Sequence, residues 1–178
     1  MKNISSKRLC RAGVIAALYV ALTYAFTPFA FGPVQIRPAE ALCILPLFFI
    51  EAVPALWIGC MLSNLGSPYI VYDVFIGSLA TLFAALITYM VGSLIKKDGI
   101  RVAVGGIFPV LFNALIIPFI IVFLCGGGKD YSSLFTAYLT YAGSIALTEI
   151  IWIYALGSPL YYAVKSLRKH SVRFLMDV

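Results

Sequence analysis

The chain has 178 residues, of which 62% are hydrophobic and 11% are charged, and its mean hydropathy is +1.01. Long apolar runs interrupted by short polar islands exceed what a soluble core of this size needs. The four cysteines lack CxxC spacing and lie mostly in or beside apolar segments, and the single histidine lies in a basic tail, which argues against a disulfide set or a metal cluster. The composition indicates a polytopic all-α membrane protein.

The first apolar region begins after a basic N-terminal stretch and covers residues about 9 to 30. It is longer than the hydrophobic region of a signal peptide, and no small-residue cleavage site follows it. We expect a retained first transmembrane helix.

The second apolar region, residues about 38 to 65, has two interpretations. It could form one helix, or two short helices separated near Pro46, Glu51 and Pro54. Proline removes a backbone donor, and a charge is costly at the centre of a bilayer, so both features favour a break.

The distribution of positive charge decides between these interpretations. If the second region is a hairpin, all three basic clusters face the cytoplasm; if it is a single crossing, two of them face outward. The clusters hold 11 of the 13 basic residues: Lys2, Lys7, Arg8 and Arg11, then Lys96, Lys97 and Arg101, then Lys165, Arg168, Lys169 and Arg173. The hairpin is therefore predicted, with both termini cytoplasmic.

The predicted fold is a single integral membrane domain, residues 1–178, with six helical segments. The segments cover residues about 9–30, 38–50, 52–66, 71–95, 101–124 and 133–165. The second and third are too short to cross a hydrocarbon core of about 30 Å upright. Because such backbone must be covered by protein or line an aqueous cavity, we expect the hairpin to line a site.

Two charged residues, Arg37 and Glu40, lie where the first helix ends and the hairpin begins, and Pro38 suits the first turn of a new helix. They could form an interfacial ion pair at a helix N-terminus. Alternatively, they gate or contact a ligand that enters from outside.

Four further polar residues lie in segments that should be apolar: Asn64, Asp73, Asn113 and Glu149. Polar groups at membrane depth are candidates for function, although they can also form hydrogen bonds that join helices. Glu51 should lie near the cytoplasmic turn of the hairpin, where a structural role is expected.

Aromatic residues are abundant near the same segments. Most serve packing or the membrane interface, but several together could stack on a flat heterocycle whose edge is bound by amides and carboxylates. The candidates are Trp57, Tyr69, Tyr72, Phe75, Phe112, Tyr138, Tyr141 and Trp152, of which Trp57 and Tyr72 are expected in a substrate site.

Small residues recur every four positions in the first helix: Gly13, Ala17, Ala21 and Ala25, beside the pair Ala12 and Ala16. Such a stripe lets helix backbones approach closely. It is compatible with tight packing inside the bundle and with docking of a partner helix.

No energy source is visible in the sequence. The stretch CGGGKDYS, residues 125–132, is similar to a phosphate-binding loop, but the pattern G-x-x-x-x-G-K-[ST] requires glycine at the position of Phe123 and serine or threonine at the position of Asp130. No metalloprotease motif and no nucleophile with a base partner is found. The protein is thus expected not to be an enzyme. It is either a passive binder or channel, or a subunit whose partner supplies the energy.

The sequence resembles the substrate-binding S components of energy-coupling factor (ECF) transporters, and within them the queuosine-precursor group QueT. The matching stretches are RAGVIAALYVALT, FGPVQIRPAEALCILP, IGCMLSNL, DVFIGSLATLFAAL, FNALI and ALTEIIW, which span nearly the whole chain. The first-helix Ala-x-x-x-Ala motif of S components docks on the coupling subunit; here Gly13 and Ala17 occupy that register.

The resemblance implies a six-helix binding subunit in the plasma membrane of a prokaryote. It would hold no cofactor of its own and would work with a transmembrane coupling subunit and two cytoplasmic ATPases that use ATP. An S component for another vitamin or purine-like base, or a self-sufficient small channel or facilitator, remains an alternative.

A 7-deazaguanine, such as the 7-aminomethyl or 7-cyano compound, offers adjacent N1–H and 2-amino donors that one carboxylate can accept. Glu149 or Glu40 could bind this edge, Asn64 and Asn113 the other polar atoms, and Asp73 an aminomethyl cation. We expect Arg37 to position Glu40.

Overall fold

The computed structural model describes residues 6–31 and 34–170, which form helices and connecting turns without any β-strand. Lys2 and Arg173 of the basic clusters lie outside these residues. In chain order the helices are α1 (Ser6–Ala25), the single turn α2 (Thr27–Ala30), α3 (Pro38–Leu47), α4 (Ala52–Gly66), α5 (Ile70–Leu94), α6 (Asp98–Leu124) and α7 (Leu134–Lys169).

Four helices, α1, α5, α6 and α7, are long and apolar enough to cross a membrane. The second apolar region forms two shorter helices, α3 and α4, as the charge distribution predicts. The break falls at residues 48–51, beside Pro46 and Pro54. The α3 helix ends at Leu47, a few residues before the predicted bound, because the chain turns there.

The short helix α3 is the central element of the fold. It has 3-10 geometry over 10 residues, all of them buried, and it contacts α1, α4, α5, α6 and α7. At about 2 Å per residue it is only about 20 Å long. Long 3-10 stretches are uncommon and often mark functional regions. The protein bundle encloses this backbone on all sides, which satisfies the requirement for irregular structure at membrane depth.

Glycines allow neighbouring helices to approach α3 and one another. A Cβ at Gly92 of α5 would lie 2.7 Å from the Leu47 carbonyl oxygen, and one at Gly105 of α6 would lie 2.7 Å from Leu47 Cδ2. A Cβ at Gly59 of α4 would lie 3.0 Å from Tyr19 Cβ of α1. These positions exclude larger side chains, so the glycines fix the distances between the helices.

One arginine from each basic cluster lies at the same end of the bundle, around the turn between α3 and α4. The guanidinium of Arg11 lies 4.6 Å from the Phe49 ring centre, and that of Arg168 lies 5.4 Å from the same ring. The Arg101 guanidinium lies 5.4 Å from the ring of Phe48. One residue from each cluster therefore reaches the same turn.

At this end Glu51 forms a buried ion pair with Arg11, with 2.5 Å between Oε1 and Nη2. The pair joins the start of α1 to the start of α4, which agrees with the expected structural role of Glu51. Removing one partner of a buried pair leaves an uncompensated charge, so the contact helps hold α1 against the hairpin.

Candidate functional site

Polar side chains from six segments form a buried group in the other half of the bundle. We call it the central polar cluster, and it comprises Tyr19, Arg37, Glu40, Asn64, Ser67, Asp73, Asn113 and Glu149. Except for Tyr19 and Ser67, all of these residues were predicted from the sequence as candidates. Each of the eight is less than a tenth exposed.

Glu40 lies in the first turn of α3 and is 1% exposed. Its Oε1 accepts a hydrogen bond of 2.5 Å from the Tyr19 hydroxyl, and Oε2 lies 3.2 Å from Cys43 Sγ. Arg37 Nε lies 3.8 Å from Oε1. The carboxylate is thus held by a hydroxyl from α1 and by the charge of Arg37, which together offset the cost of burying it.

Asn64, at the C-terminal end of α4, joins the two sides of the cluster. Its Oδ1 accepts from Arg37 Nη2 at 3.1 Å, and its Nδ2 donates to the Asp73 carbonyl oxygen at 2.7 Å. The Asp73 carboxylate in turn accepts a hydrogen bond from the Ser67 hydroxyl through Oδ2. Because both ends of the Asn64 amide are engaged, this residue orients Arg37 and fixes the start of α5.

Asn113 and Glu149 connect α6 to α7. Asn113 Nδ2 donates to Glu149 Oε1 at 2.7 Å, and both side chains are buried. Glu149 is also close enough to Glu40 and Arg37 for their charges to act on it. The two halves of the cluster therefore share one electrostatic environment.

Three buried polar atoms of the cluster have no hydrogen-bond partner among the described residues: Arg37 Nε, Asp73 Oδ1 and Glu149 Oε2. Buried polar groups in folded proteins are almost always satisfied, so each exception needs an explanation. A ligand with several donors would supply partners for the two carboxylate oxygens. These unpartnered atoms make the cluster a candidate ligand site.

Three helices contain wide turns, and two of these turns adjoin cluster residues. Residues Asp73–Gly77 of α5, Ile120–Leu124 of α6 and Ile151–Leu156 of α7 have π-helical geometry. Asp73 begins the first of these turns, and Glu149 lies two residues before the third. Such turns are frequent at functional sites because they redirect side chains from the regular helical face.

The two aromatic residues that the sequence predicts in a substrate site, Tyr72 and Trp57, differ in their exposure. Tyr72 is 39% exposed, whereas its neighbour Asp73 is 6% exposed, so the chain directs the carboxylate and not the phenol into the bundle. Trp57 on α4 is half-buried, and its indole Nε1 has no hydrogen-bond partner among the described residues.

The small-residue stripe of α1 divides into two faces. Gly13, Ala17 and Ala21 are exposed, and a Cβ at Gly13 would meet nothing within 4 Å. Ala12 and Ala16 are half-buried and pack against the core. The helix thus offers a smooth free face beside a face that packs inside the bundle.

Sequence reasoning missed Tyr19, Ser67 and Cys43 as members or neighbours of the site. Spacing alone does not single out Tyr19, because the buried stripe of Arg11, Ile15, Tyr19 and Thr23 and the exposed stripe of Gly13, Ala17 and Ala21 both recur every four residues. Within residues 6–31 and 34–170 there is no group of three or more His, Cys, Asp or Glu that could hold a metal ion.

The helices and the cluster define a polytopic helical membrane protein with an enclosed polar site. The profile of the QueT transporter family matches residues 9–166, and the chain belongs to this family. The resemblance found in the sequence motifs is thereby confirmed.

A relative described as "Queuosine precursor transporter QueT", from Lactococcus lactis subsp. cremoris (strain MG1363), is 32% identical over 100 residues. The alignment covers 55% of this chain and 59% of the relative, so the chain spans about three fifths of the relative's length. No solved structure matches the chain.

Proposed function

We propose that the chain is the membrane-embedded substrate-binding subunit of an ECF-type importer and captures a queuosine precursor of the 7-deazaguanine class from outside the cell. Membership of the QueT transporter family and the name of the relative support transport of this kind of compound. The chemistry of the central polar cluster supports the ligand class independently of these names.

The charge balance of the cluster is the observation that carries the proposal. Arg37 is its one base, whereas Glu40, Asp73 and Glu149 are three acids. Fully ionised, the four groups carry a net charge of −2, which is costly to bury. A cationic ligand offsets this charge, neutral donors stabilise it through hydrogen bonds, and an anionic ligand would increase the cost.

A 7-aminomethyl-7-deazaguanine matches the free atoms of the cluster. Its N1–H and 2-amino groups are adjacent donors suited to a carboxylate such as Glu149, whose Oε2 is free. Its ammonium group suits Asp73, whose Oδ1 is free. Asn113 already donates to Glu149, and Asn64 is engaged at both ends, so we assign these amides mainly to positioning the charged groups.

The basic end of the bundle supports a topology with six segments and both termini in the cytoplasm of a prokaryotic cell. Arg11, Arg101 and Arg168 gather at one end, as the positive-inside rule expects for a cytoplasmic face. The central polar cluster then lies in the outer half, where an external substrate arrives.

Partner subunits complete the proposed transporter. The exposed face of Gly13, Ala17 and Ala21 would dock on the transmembrane coupling subunit, and two cytoplasmic ATPases would use ATP to drive uptake. A helix with no side chain beyond Cβ along one face allows a partner backbone to approach closely.

Binding to purified variants tests the assignment of the carboxylates. Glu149→Gln and Asp73→Asn keep the shape of each side chain and remove its charge. A hydrogen bond to a charged group contributes about 1.5–3 kcal/mol, so each variant should raise the Kd for 7-aminomethyl-7-deazaguanine about 10- to 150-fold in isothermal titration. Asp130→Asn, an exposed residue outside the cluster, is the matched control and should change nothing.

The 7-cyano analogue separates the two roles. Because it lacks the ammonium group but keeps the guanine edge, Asp73→Asn should affect its binding much less than Glu149→Gln does. If both variants bind both compounds with the Kd of the parent protein, the central polar cluster is not the binding site.

Transport by the chain alone tests the dependence on partners. Purified protein in ATP-free liposomes should not accumulate or equilibrate labelled 7-aminomethyl-7-deazaguanine beyond the level of empty liposomes. Equilibration catalysed by the lone chain would instead favour a self-sufficient facilitator.

A further inference from the structure

A cavity of about 450 Å³ lies at the basic end of the bundle and shares no lining residue with the central polar cluster. Its volume falls in the range of small-molecule sites. Its lining residues include Phe48, Ser93, Arg101, Tyr161, Lys165 and Arg168. Ser93 and Lys165 are exposed, so the cavity opens at the protein surface. We call it the basic cavity.

The charged residues that line the basic cavity are three cations and one carboxylate, Asp98. The carboxylate is already engaged, because it accepts a hydrogen bond of 2.8 Å from the Tyr161 hydroxyl and forms an ion pair with Lys165. With three cations against this one carboxylate, the lining of the cavity keeps a net charge of +2.

Both guanidinium groups lie near the Phe48 ring, at 5.4 Å for Arg101 and 5.7 Å for Arg168. Their hydrogen bonds leave donors free. Arg101 Nη2 donates to the Leu47 carbonyl oxygen, while its buried Nε has no partner among the described residues. Arg168 Nη1 makes one long contact, 3.4 Å, with the Phe48 carbonyl oxygen.

Two guanidinium groups that line one cavity with a net positive charge favour an anion that binds both. Arginine recognises phosphate through paired N–H donors, which makes phosphate the anion best matched to these groups. The cavity is large enough to hold a phosphate together with a small polar substituent. A neutral ligand would leave the net positive charge of the lining uncompensated.

The surroundings indicate a membrane lipid as the source of that phosphate. Leu94, the last residue of α5, is 76% exposed, and Leu167, next to Arg168 in α7, is 47% exposed. Both belong to helices apolar enough to cross a membrane, so acyl chains can lie beside them. Basic pockets between transmembrane helices are suited to anionic lipid headgroups.

We propose that the basic cavity binds the phosphate of an anionic phospholipid headgroup through Arg101 and Arg168, with Lys165 at its entrance. The inference concerns an end of the protein that the proposed transport substrate does not use. It predicts a preference for phosphatidylglycerol over phosphatidylcholine, because the latter carries a compensating cation in its headgroup.

Native mass spectrometry of the full chain in detergent tests this proposal. Titration with the two lipids, with identical acyl chains, gives an apparent Kd for the first lipid retained. We expect at least tenfold tighter binding of phosphatidylglycerol. Arg101→Gln and Arg168→Gln should each weaken it about fivefold, which corresponds to about 1 kcal/mol per basic residue near an anionic membrane surface.

Two kinds of variant make the result specific. Lys96→Gln and Lys97→Gln remove exposed cations that do not line the cavity, and they should leave the Kd within about twofold of the parent. Ser93→Phe fills the cavity while keeping every cation, and it should also weaken binding. If an arginine-to-glutamine variant does not fold, Arg101→Lys and Arg168→Lys keep the charge and should retain part of the preference.

Equal affinity of the parent protein for both lipids would overturn the proposal. So would a loss of phosphatidylglycerol affinity in the Lys96 and Lys97 controls as large as that in the arginine variants. Inorganic phosphate serves as the soluble competitor. If it binds at millimolar concentration in an Arg101-dependent way while phosphatidylglycerol shows no preference, the lipid source is wrong and the cavity is a site for soluble phosphate.

Discussion

Tyr19→Phe tests whether the first helix holds the Glu40 carboxylate of the central polar cluster in place. The Tyr19 hydroxyl donates to Glu40 Oε1 at 2.5 Å, and neither side chain is more than 1% exposed. Phenylalanine fills the same volume, so the change removes the donor without leaving a cavity. Glu40 Oε1 is then left with Arg37 Nε at 3.8 Å, which is too long for a hydrogen bond.

The expected magnitude follows from this geometry. A hydrogen bond to a charged group contributes about 1.5–3 kcal/mol, and at about 2–4 °C per kcal/mol the Tm should fall by about 3–12 °C. Thermal unfolding of the detergent-purified protein measures this shift. The Kd for 7-aminomethyl-7-deazaguanine should rise as well, because Glu40 is then free to leave the position that shapes the cluster.

Tyr138→Phe is the matched control. Its hydroxyl also donates a hydrogen bond, of 3.3 Å to the Leu115 carbonyl oxygen, but the contact is exposed and the acceptor is neutral. The control should lower the Tm by less than Tyr19→Phe does, by about 1–6 °C. A Tyr19→Phe protein with the Tm and Kd of the parent would refute the reasoning that the hydroxyl holds Glu40.

Three further substitutions test other parts of the structure. Gly59→Val should destabilise the protein by more than about 1 kcal/mol in chemical unfolding, since its Cβ would lie 3.0 Å from Tyr19 Cβ and 3.2 Å from the Ala16 carbonyl oxygen; unchanged stability would contradict this close approach. Gly13→Trp should abolish uptake in cells that contain the partner subunits yet leave the Kd of the purified chain unchanged, and loss of both would contradict a purely docking role. Arg37→Ala should raise the dissociation rate of the bound ligand about tenfold or more, measured by stopped flow, because Glu40 and Asn64 lose their shared partner; an unchanged rate would exclude a gating role for Arg37.

Much of the fold could be predicted because the physical constraints of a membrane are few and strong. Apolar length predicts the four long helices, and the placement of basic residues predicts that residues 38–66 form two short helices. The 3-10 geometry of α3 could not be predicted, since it depends on the surrounding helices enclosing that segment rather than on its own residues.

The candidate site was partly predictable for a similar reason. A polar residue in an apolar segment is conspicuous, and Glu40, Asn64, Asn113 and Glu149 all occupy the central polar cluster. Their pairing was not predictable, because the Asn113–Glu149 contact joins residues 36 positions apart and depends on how α6 packs against α7. Tyrosine is ordinary in a membrane helix, so Tyr19 gave no comparable signal by composition alone.

Isothermal titration of the purified protein with 7-aminomethyl-7-deazaguanine, its 7-cyano analogue, guanine and a small panel of vitamins tests the central claim most directly. Because the cluster carries a net negative charge and has unpartnered carboxylate oxygens, we expect both deazaguanines to bind, the aminomethyl compound with the lowest Kd, and the vitamins to give no binding signal. If neither deazaguanine binds measurably while a vitamin from the panel binds tightly, the proposed substrate is wrong.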